Sequence, residues 1–277
     1  MRILVLYQYY LMPGMPGGSR YNELGRFWTE AGHDVTIVTG NLDYASGEVP
    51  EQYRGRGVVR ERDGDVEVYR CPVPTSYSAG YAGRAYAYLG FCAGAAFTAL
   101  RVKKPDVIIA SSPPLLTAAT GMVAAAGRFP AVPWVFEVRD LWPESAVTTG
   151  VLREDGMLTK ALYRLERAAY ASADMINVLT PAFRADILKR GLADDARICC
   201  IPNGADTELF QPGELDQPYR REHRWGDRFV VMYAGAHGRA NALDQLIGAA
   251  ERLRERRDIL IACVGDGPER SRLSDEV

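Results

Sequence analysis

Arg2-Ile3-Leu4-Val5-Leu6-Tyr7 opens the chain, the glycine pair Gly17-Gly18 follows, and Gly32-His33-Asp34-Val35-Thr36-Ile37-Val38-Thr39 ends the first unit. Both apolar runs are short and bounded by turn residues, as strands buried on both faces must be. Between them Leu24, Phe27, Trp28 and Ala31 recur at helical spacing, and Ser19 stands where a helix cap is needed. Strand, glycine turn, helix and strand in that order predict a parallel α/β sheet covered on both faces.

The same alternation continues outward. Residues 66–71, 106–110, 134–138, 175–179 and 197–201 read as further strands, and Leu158, Ala161, Leu162, Leu165, Ala168 and Ala169 as another helix face. Asp63-Gly64, between valine-rich runs, predicts one antiparallel hairpin. Residues 202–226 are rich in Pro, Gly and charge and read as a connection. The pattern then restarts, with strands at 229–233 and 259–264 around a helix bearing Leu243, Leu246, Ile247, Ala250 and Leu253. Two strands and one helix do not cover both faces of a parallel sheet. The expected organisation is therefore a domain over residues 1–201, a connection over 202–226, and a partial second domain over 227–277.

Bulk composition excludes several classes. A chain of 277 residues with 47% hydrophobic and 25% charged residues matches a soluble globular protein. Its net charge of -2 gives no global attraction for nucleic acid. Cys71, Cys92, Cys199, Cys200 and Cys263 fall in no CxxC spacing and read as buried free thiols of a reducing compartment. His33, His223 and His237 are scattered, so no metal site is expected. The first apolar run is too short for a signal-peptide core. Residues 79–100 are nearly all apolar and long enough to span a membrane, but their small residues and tyrosines favour a crossover helix packed on the sheet.

In open parallel sheets ligands bind beyond the carboxyl ends of the strands. Those positions hold Gly17 and Gly18, Ser111 to Pro114, Arg139 and Asp140, Thr180-Pro181, Asn203 and Gly204, Gly235 to Arg239, and Gly265-Asp266-Gly267. The glycine pair either admits a substrate close to the backbone at a helix N-terminus or makes an ordinary turn. Its spacing is not GxGxxG, and no GxxxxGK[ST] is present, which argues against dinucleotide and P-loop sites. A charged pair at the end of a buried strand is costly unless paired, hydrated or used. Arg139 and Asp140 are thus candidate catalytic residues or a salt bridge supporting the next turn, and Glu137 is a candidate core partner of Arg139.

Ile201-Pro202-Asn203-Gly204-Ala205-Asp206 with Phe210 resembles the interdomain signature of glycosyltransferase family 4, the retaining GT-B transferases. Gly32-His33-Asp34-Val35 and Gly265-Asp266-Gly267-Pro268-Glu269 are similar to other family turns. Val138 to Ser145 and Ala240-Asn241-Ala242-Leu243-Asp244 resemble the bacterial surface-polysaccharide subgroup, including the N-acetyl-L-fucosamine transferases. The likeness runs in register over the whole chain. It implies two Rossmann-like domains, the second truncated here, and metal-free transfer of a sugar from a nucleotide donor, UDP-linked, to a lipid-linked or glycan acceptor. Catalysis would fall to Asp140 and Arg139. Gly17, Gly18, Gly235, Arg239, Asn241, Gly265 and Asp266 would face donor or phosphates, while Asn203 and Gly204 form the interdomain turn. Asn241 is equally a candidate cap for a helix starting near Ala240.

Three departures qualify the likeness. Arg139 stands where many members have histidine, so a histidine role does not transfer. The family's Arg and Lys after the first strand of the second domain have no plain match in His237-Gly238-Arg239-Ala240-Asn241. The paired glutamates of the E-x7-E motif would lie beyond Val277, which makes a non-catalytic acceptor-binding half the rival reading. A nicotinamide oxidoreductase is disfavoured by the absent GxGxxG. Arg54, Arg56, Arg60 and Arg62 beside an apolar 79–100 helix suggest a cytoplasmic protein attached peripherally to anionic lipid.

Overall fold

The structure, a computed structural model, describes residues 1–12, 15, 20–43, 47–74, 80–208, 210–214 and 217–277. The chain divides into two compact units, Met1–Asp206 and Thr207–Val277. The first extends past Ile201, because Arg20 binds the carbonyls of Ile201 and Pro202 and Arg26 pairs with Asp206.

In the first unit an eight-stranded sheet carries β1 (Arg2–Leu6), β2 (Asp34–Gly40), β3 (Val59–Asp63), β4 (Val66–Cys71), β5 (Val107–Ser112), β6 (Trp134–Val138), β7 (Met175–Val178) and β8 (Ile198–Cys200). Their order is β3-β4-β2-β1-β5-β6-β7-β8. β3 runs antiparallel to β4 through the hairpin at Gly64, whose φ of 58° suits glycine, and the other neighbours are parallel. The chain leaves β1 to one side for β2 and β4 and to the other for β5 onward. The topological switch point therefore lies between β1 and β5.

Strand alternation sorts the core into two faces. Leu4, Leu6, Ile108, Ala110 and Phe136 pack with α2 (Gly80–Arg101), α3 (Leu116–Ala126) and α5 (Met157–Ser172). Ile3, Val5, Tyr7, Ile37 and Val68 pack with α1 (Arg20–Glu30). Close packing is specific at Gly121 of α3, where an added Cβ would lie 2.7 Å from Ala110 Cβ and 3.1 Å from Trp134. The remaining helices of the unit, α4 (Glu144–Thr148) and α6 (Pro181–Lys189), follow β6 and β7.

Several details depart from the periodicity. α1 buries Tyr21 and Gly25 rather than Phe27 and Ala31, since Gly25 fits against Val66, and Phe27 lies exposed beneath the Arg26 guanidinium. Leu158 is likewise exposed, while Glu166 and Tyr170 of α5 are buried. α2 is a crossover helix with only its inner face in the core. All five cysteines are free; Cys71 is buried, but Cys200 and Cys263 are exposed at strand ends, contrary to the buried reading.

The second unit holds α7 (Gln217–Glu222), β9 (Phe229–Ala234), α8 (Asp244–Arg252), β10 (Ile259–Val264) and α9 (Arg270–Asp275), with β9 and β10 parallel. α7 falls within the segment read as a connection, and Tyr219 stacks on His223 and Trp225 at its end.

Candidate active site

The carboxyl ends of the first unit's strands converge on a pocket of about 410 Å³ at the switch point. Tyr7, Tyr9 and Leu11 come from the segment after β1, Pro113 from after β5, Arg139 and Asp140 from after β6, Leu179 from after β7 and Asn203 from after β8. The candidate residues Arg139, Asp140 and Asn203 thus share one pocket. Gly17 and Gly18, and the proposed cap Ser19, lie outside the described residues.

Glu137, 2% exposed, holds this end of the sheet together. Its Oε1 accepts from Arg20 Nε at 3.0 Å, Arg20 Nη2 at 2.8 Å and Asn177 Nδ2 at 3.1 Å. Its Oε2 accepts from the Tyr21 hydroxyl at 2.6 Å and the Ser111 hydroxyl at 2.7 Å. The carboxylate is fully satisfied by α1, β5 and β7, which is how a buried charge is retained. Burial, then the Glu137 charge and hydrogen bond, keep the Tyr21 hydroxyl well above the usual tyrosine range. Arg20 also reaches Asn203 Oδ1 at 3.3 Å and the Pro202 carbonyl at 3.0 Å, tying the segment after β8 to the same network.

Arg139 feels the Glu137 charge but makes no hydrogen bond or salt bridge with it, and among the described residues it forms no salt bridge with Asp140. Its N–H donates to the Ser112 carbonyl at 3.1 Å, and its guanidinium lies 5.3 Å from the Tyr7 ring centroid. Arg139 Nε is buried without a hydrogen-bond partner. Asp140 is half-buried, its carbonyl accepts from Trp142 N–H at 2.9 Å, and its carboxylate has no hydrogen bond among the described residues. An unpaired carboxylate facing a pocket beside an arginine can orient a hydroxyl or take its proton.

The wall after β1 is fixed by Arg70, which is 1% exposed. It donates to the carbonyls of Tyr10 at 3.0 Å and Leu11 at 3.2 Å and pairs with Glu61 at 2.5 Å. Asn22 adds bonds to both polar groups of Leu11 and to Asp63. On the opposite face of the same strand ends, Gln8, Ser112 and Thr117 are fully buried with side-chain polar atoms lacking any partner. Thr180, read as a strand-end site position, serves as the cap of α6, accepting from Phe183 N–H at 3.2 Å.

In the second unit, the turns after β9 and β10 interlock. His237 N–H donates to the Asp266 carbonyl at 2.8 Å, Glu269 N–H to the His237 carbonyl at 3.0 Å, and Gly235 N–H to the Val264 carbonyl at 2.9 Å. Gly265 and Gly267 have φ of 149° and 157°, and a Cβ at Gly265 would lie 1.9 Å from the Gly235 carbonyl oxygen. Only glycine fits that approach. Asp266 is exposed, its Oδ1 accepting from Gly267 N–H at 2.8 Å. Arg239 is exposed beside a cleft of about 290 Å³ that also takes in Gly238, Asp244, Glu269 and Arg272. The helix expected from Ala240 begins instead at Asp244, after a 3-10 turn over Arg239–Asn241 and a left-handed Ala242, so Asn241 does not cap it.

The partners of Glu137 escaped sequence reading, although Asn177 and Glu137 interrupt apolar strands and Arg20 opposes the dipole of its own helix, each a recognisable anomaly. His237 is a further one: it is 6% exposed and neither ring nitrogen is hydrogen-bonded.

Comparison with known proteins bears on what this geometry serves. The pattern of the glycosyl transferase 4-like domain matches residues 17–204. The chain is 25% identical over 90% of its length to "Probable glycosyltransferase WbjE" of Pseudomonas aeruginosa. It is 25% identical over 99% of its length to WcaI of Escherichia coli K12, provisionally named a colanic acid biosynthesis glycosyl transferase. It spans 61% and 68% of those two proteins. The fold matches that of Anabaena Alr3699/HepE, crystallised in complex with UDP and glucose, with a TM-score of 0.61 and 20% identity, over 100% of this chain and 64% of that one.

Proposed function

The chain belongs to the family of glycosyl transferase 4-like domains, and from that premise we propose that it transfers a sugar from a UDP-linked donor to a lipid-linked glycan acceptor in polysaccharide assembly. Transfer proceeds with retention and without a metal ion, in the cytoplasm, with the protein attached peripherally at the inner face of the membrane. The observation that carries this reading is the unpaired Asp140 carboxylate facing the pocket at the switch point of the sheet.

Glycosyl transfer breaks the bond from the anomeric carbon to the UDP oxygen and forms one to an acceptor oxygen, whose proton must leave. Asp140 orients that hydroxyl and draws off its proton. Arg139, held against Tyr7 by its position after β6, keeps the pocket positive beside it. The departing diphosphate gathers negative charge, so donors fixed before the reaction lower the barrier most. The Gly265 turn lies main chain against the Gly235 carbonyl, and Asp266 and Arg239 stand exposed beside the two turns, placed to meet the diphosphate. That UDP and glucose accompany the Anabaena protein supports a UDP-linked donor here.

Calorimetric titration with UDP and UDP-sugars, followed by transfer of a labelled sugar to a lipid-diphosphate acceptor, tests the reading. Micromolar UDP binding and product formation are expected. Acceptor binding with no UDP binding would overturn it in favour of an acceptor-holding module.

A further inference from the structure

α2 is apolar on both its faces. Ala87, Phe91, Ala95 and Ala99 are fully buried against the sheet. Tyr86, Leu89, Ala93, Phe97 and Leu100 follow i, i+3 and i+4 spacing along the other side and are exposed, Tyr86 by 62%, Leu89 by 57% and Phe97 by 54%. Phe129, 99% exposed, extends this stripe. It is drawn to the end of α2 because Lys104 binds its carbonyl at 3.2 Å, Arg128 binds the Ala99 and Val102 carbonyls, and Gly127 packs on Leu100. A helix apolar all round is normally either enclosed in a core or inserted in a membrane. α2 is not enclosed, and among the described residues no helix is long and apolar enough to cross a membrane.

The charge around the stripe identifies its occupant. Arg101, Lys103, Lys104 and Arg128 gather at its carboxyl end, with Arg101 lying 3.2 Å from the Phe97 ring centroid. Between Glu67 and Glu137 the sole acidic residue is Asp106, and Arg2 holds it at 2.8 Å. A chain of net charge -2 therefore presents one apolar strip with a cationic margin. The arginines that sequence reading favoured are less available. Arg60 pairs with Glu67, Arg54 lies 3.8 Å from Glu48, and Arg62 sits opposite Glu67 in the hairpin.

We propose that the outer face of α2 together with Phe129 lies in the headgroup region of an anionic bilayer, with Arg101 and Lys103 against the lipid phosphates and the carbonyl-bound Lys104 and Arg128 adding positive charge behind them. Aromatic and aliphatic side chains bury into the acyl boundary, and each cation near the surface strengthens attachment. The inference rests on the peripheral attachment proposed above and names the surface that makes it.

Flotation of the full chain with vesicles of phosphatidylcholine, alone or mixed with phosphatidylglycerol, tests it, with UDP titration on the same preparation. The wild type is expected to float with the mixed vesicles and to be released by salt. Arg101→Gln with Lys103→Gln should weaken binding about thirtyfold, from about 1 kcal/mol per cation. Leu89→Ser with Phe129→Ser should abolish it, and both pairs should keep the wild-type melting temperature and response to UDP. A wild type that stays at the bottom with either vesicle overturns membrane attachment while leaving the transferase reading to the UDP result. Variants that float like the wild type overturn this surface alone. A wild-type dimer made monomeric by Leu89→Ser with Phe129→Ser, without flotation, overturns it in favour of a second copy.

Discussion

Arg20 places Nη2 2.8 Å from Glu137 Oε1, and the two side chains are only 10% and 3% exposed. One ion pair thereby joins α1, the end of β6 and, through Pro202 and Asn203, the segment that closes the first unit. Removing one member of a buried pair leaves the other charged and unpaired, costing about 3–5 kcal/mol. Glu137→Ala should lower the unfolding free energy measured in urea by that much, since Tyr21, Ser111 and Asn177 lose their acceptor as well. Asn203→Ala removes one 3.3 Å bond at an exposed position and should cost about 1 kcal/mol. Equal losses for the two would contradict this assignment of the network.

Asp140 has the opposite character, because its carboxylate holds nothing together among the described residues. Asp140→Ala should therefore stay within about 0.5 kcal/mol of the wild-type stability, as substitutions away from structural contacts do. Turnover of a labelled UDP-sugar should fall at least about a hundredfold, the usual worth of a positioned acid or base. Unchanged initial rates at saturating substrates would remove Asp140 from the reaction. Asp140→Asn separates the charge from the hydrogen-bonding shape and should recover binding of the acceptor but not its turnover.

How much of this was open to sequence reading depended on range. β6 at Trp134–Val138 and β4 at Val66–Cys71 were legible to the residue because short valine- and aromatic-rich runs bounded by turn residues mark buried strands, even though Glu137 interrupts the first and Glu67 and Arg70 the second. The helix faces were less legible: Phe27 fits the period of α1, but Gly25 is what lets that helix approach Val66, and this turns Phe27 outward. Asp140 could be found from its place after a strand. Arg20 could not be paired with Glu137, since 117 residues separate them and only the folded sheet brings them together. The start of α8 was misplaced because a left-handed alanine at Ala242 has no sequence signal of its own.

Gln8 is fully buried, yet neither its amide nitrogen nor its oxygen is hydrogen-bonded. An unsatisfied buried amide costs about 1–3 kcal/mol. Methionine has a similar length and no such requirement, so Gln8→Met should raise stability by about 1 kcal/mol or more in urea denaturation. A destabilised variant would mean that the amide is bonded in solution.

Two buried thiols, together with buried tyrosines such as Tyr21, make stability depend on alkaline pH. Burial pushes Cys71 and Cys92 from the ordinary value near 9 up to about 11, although Thr98 and Thr120 offer each a partly compensating hydrogen bond. In the unfolded chain the same thiols lose their protons near pH 9. Between about pH 9 and 11 the native state thus holds protons that the unfolded state has released, so stability must fall as pH rises through that window. The loss should be on the order of 2 kcal/mol per thiol. Cys71→Ala should flatten the decline of the urea midpoint between pH 8.5 and 11 while leaving the profile below pH 8 parallel to wild type. A wild-type profile flat across this range, or an unaltered slope in the variant, would show that the buried thiol is not what responds. The same burial protects the sulfur chemically: iodoacetamide at pH 8 should label exposed Cys200 and Cys263 in the native protein well before Cys71.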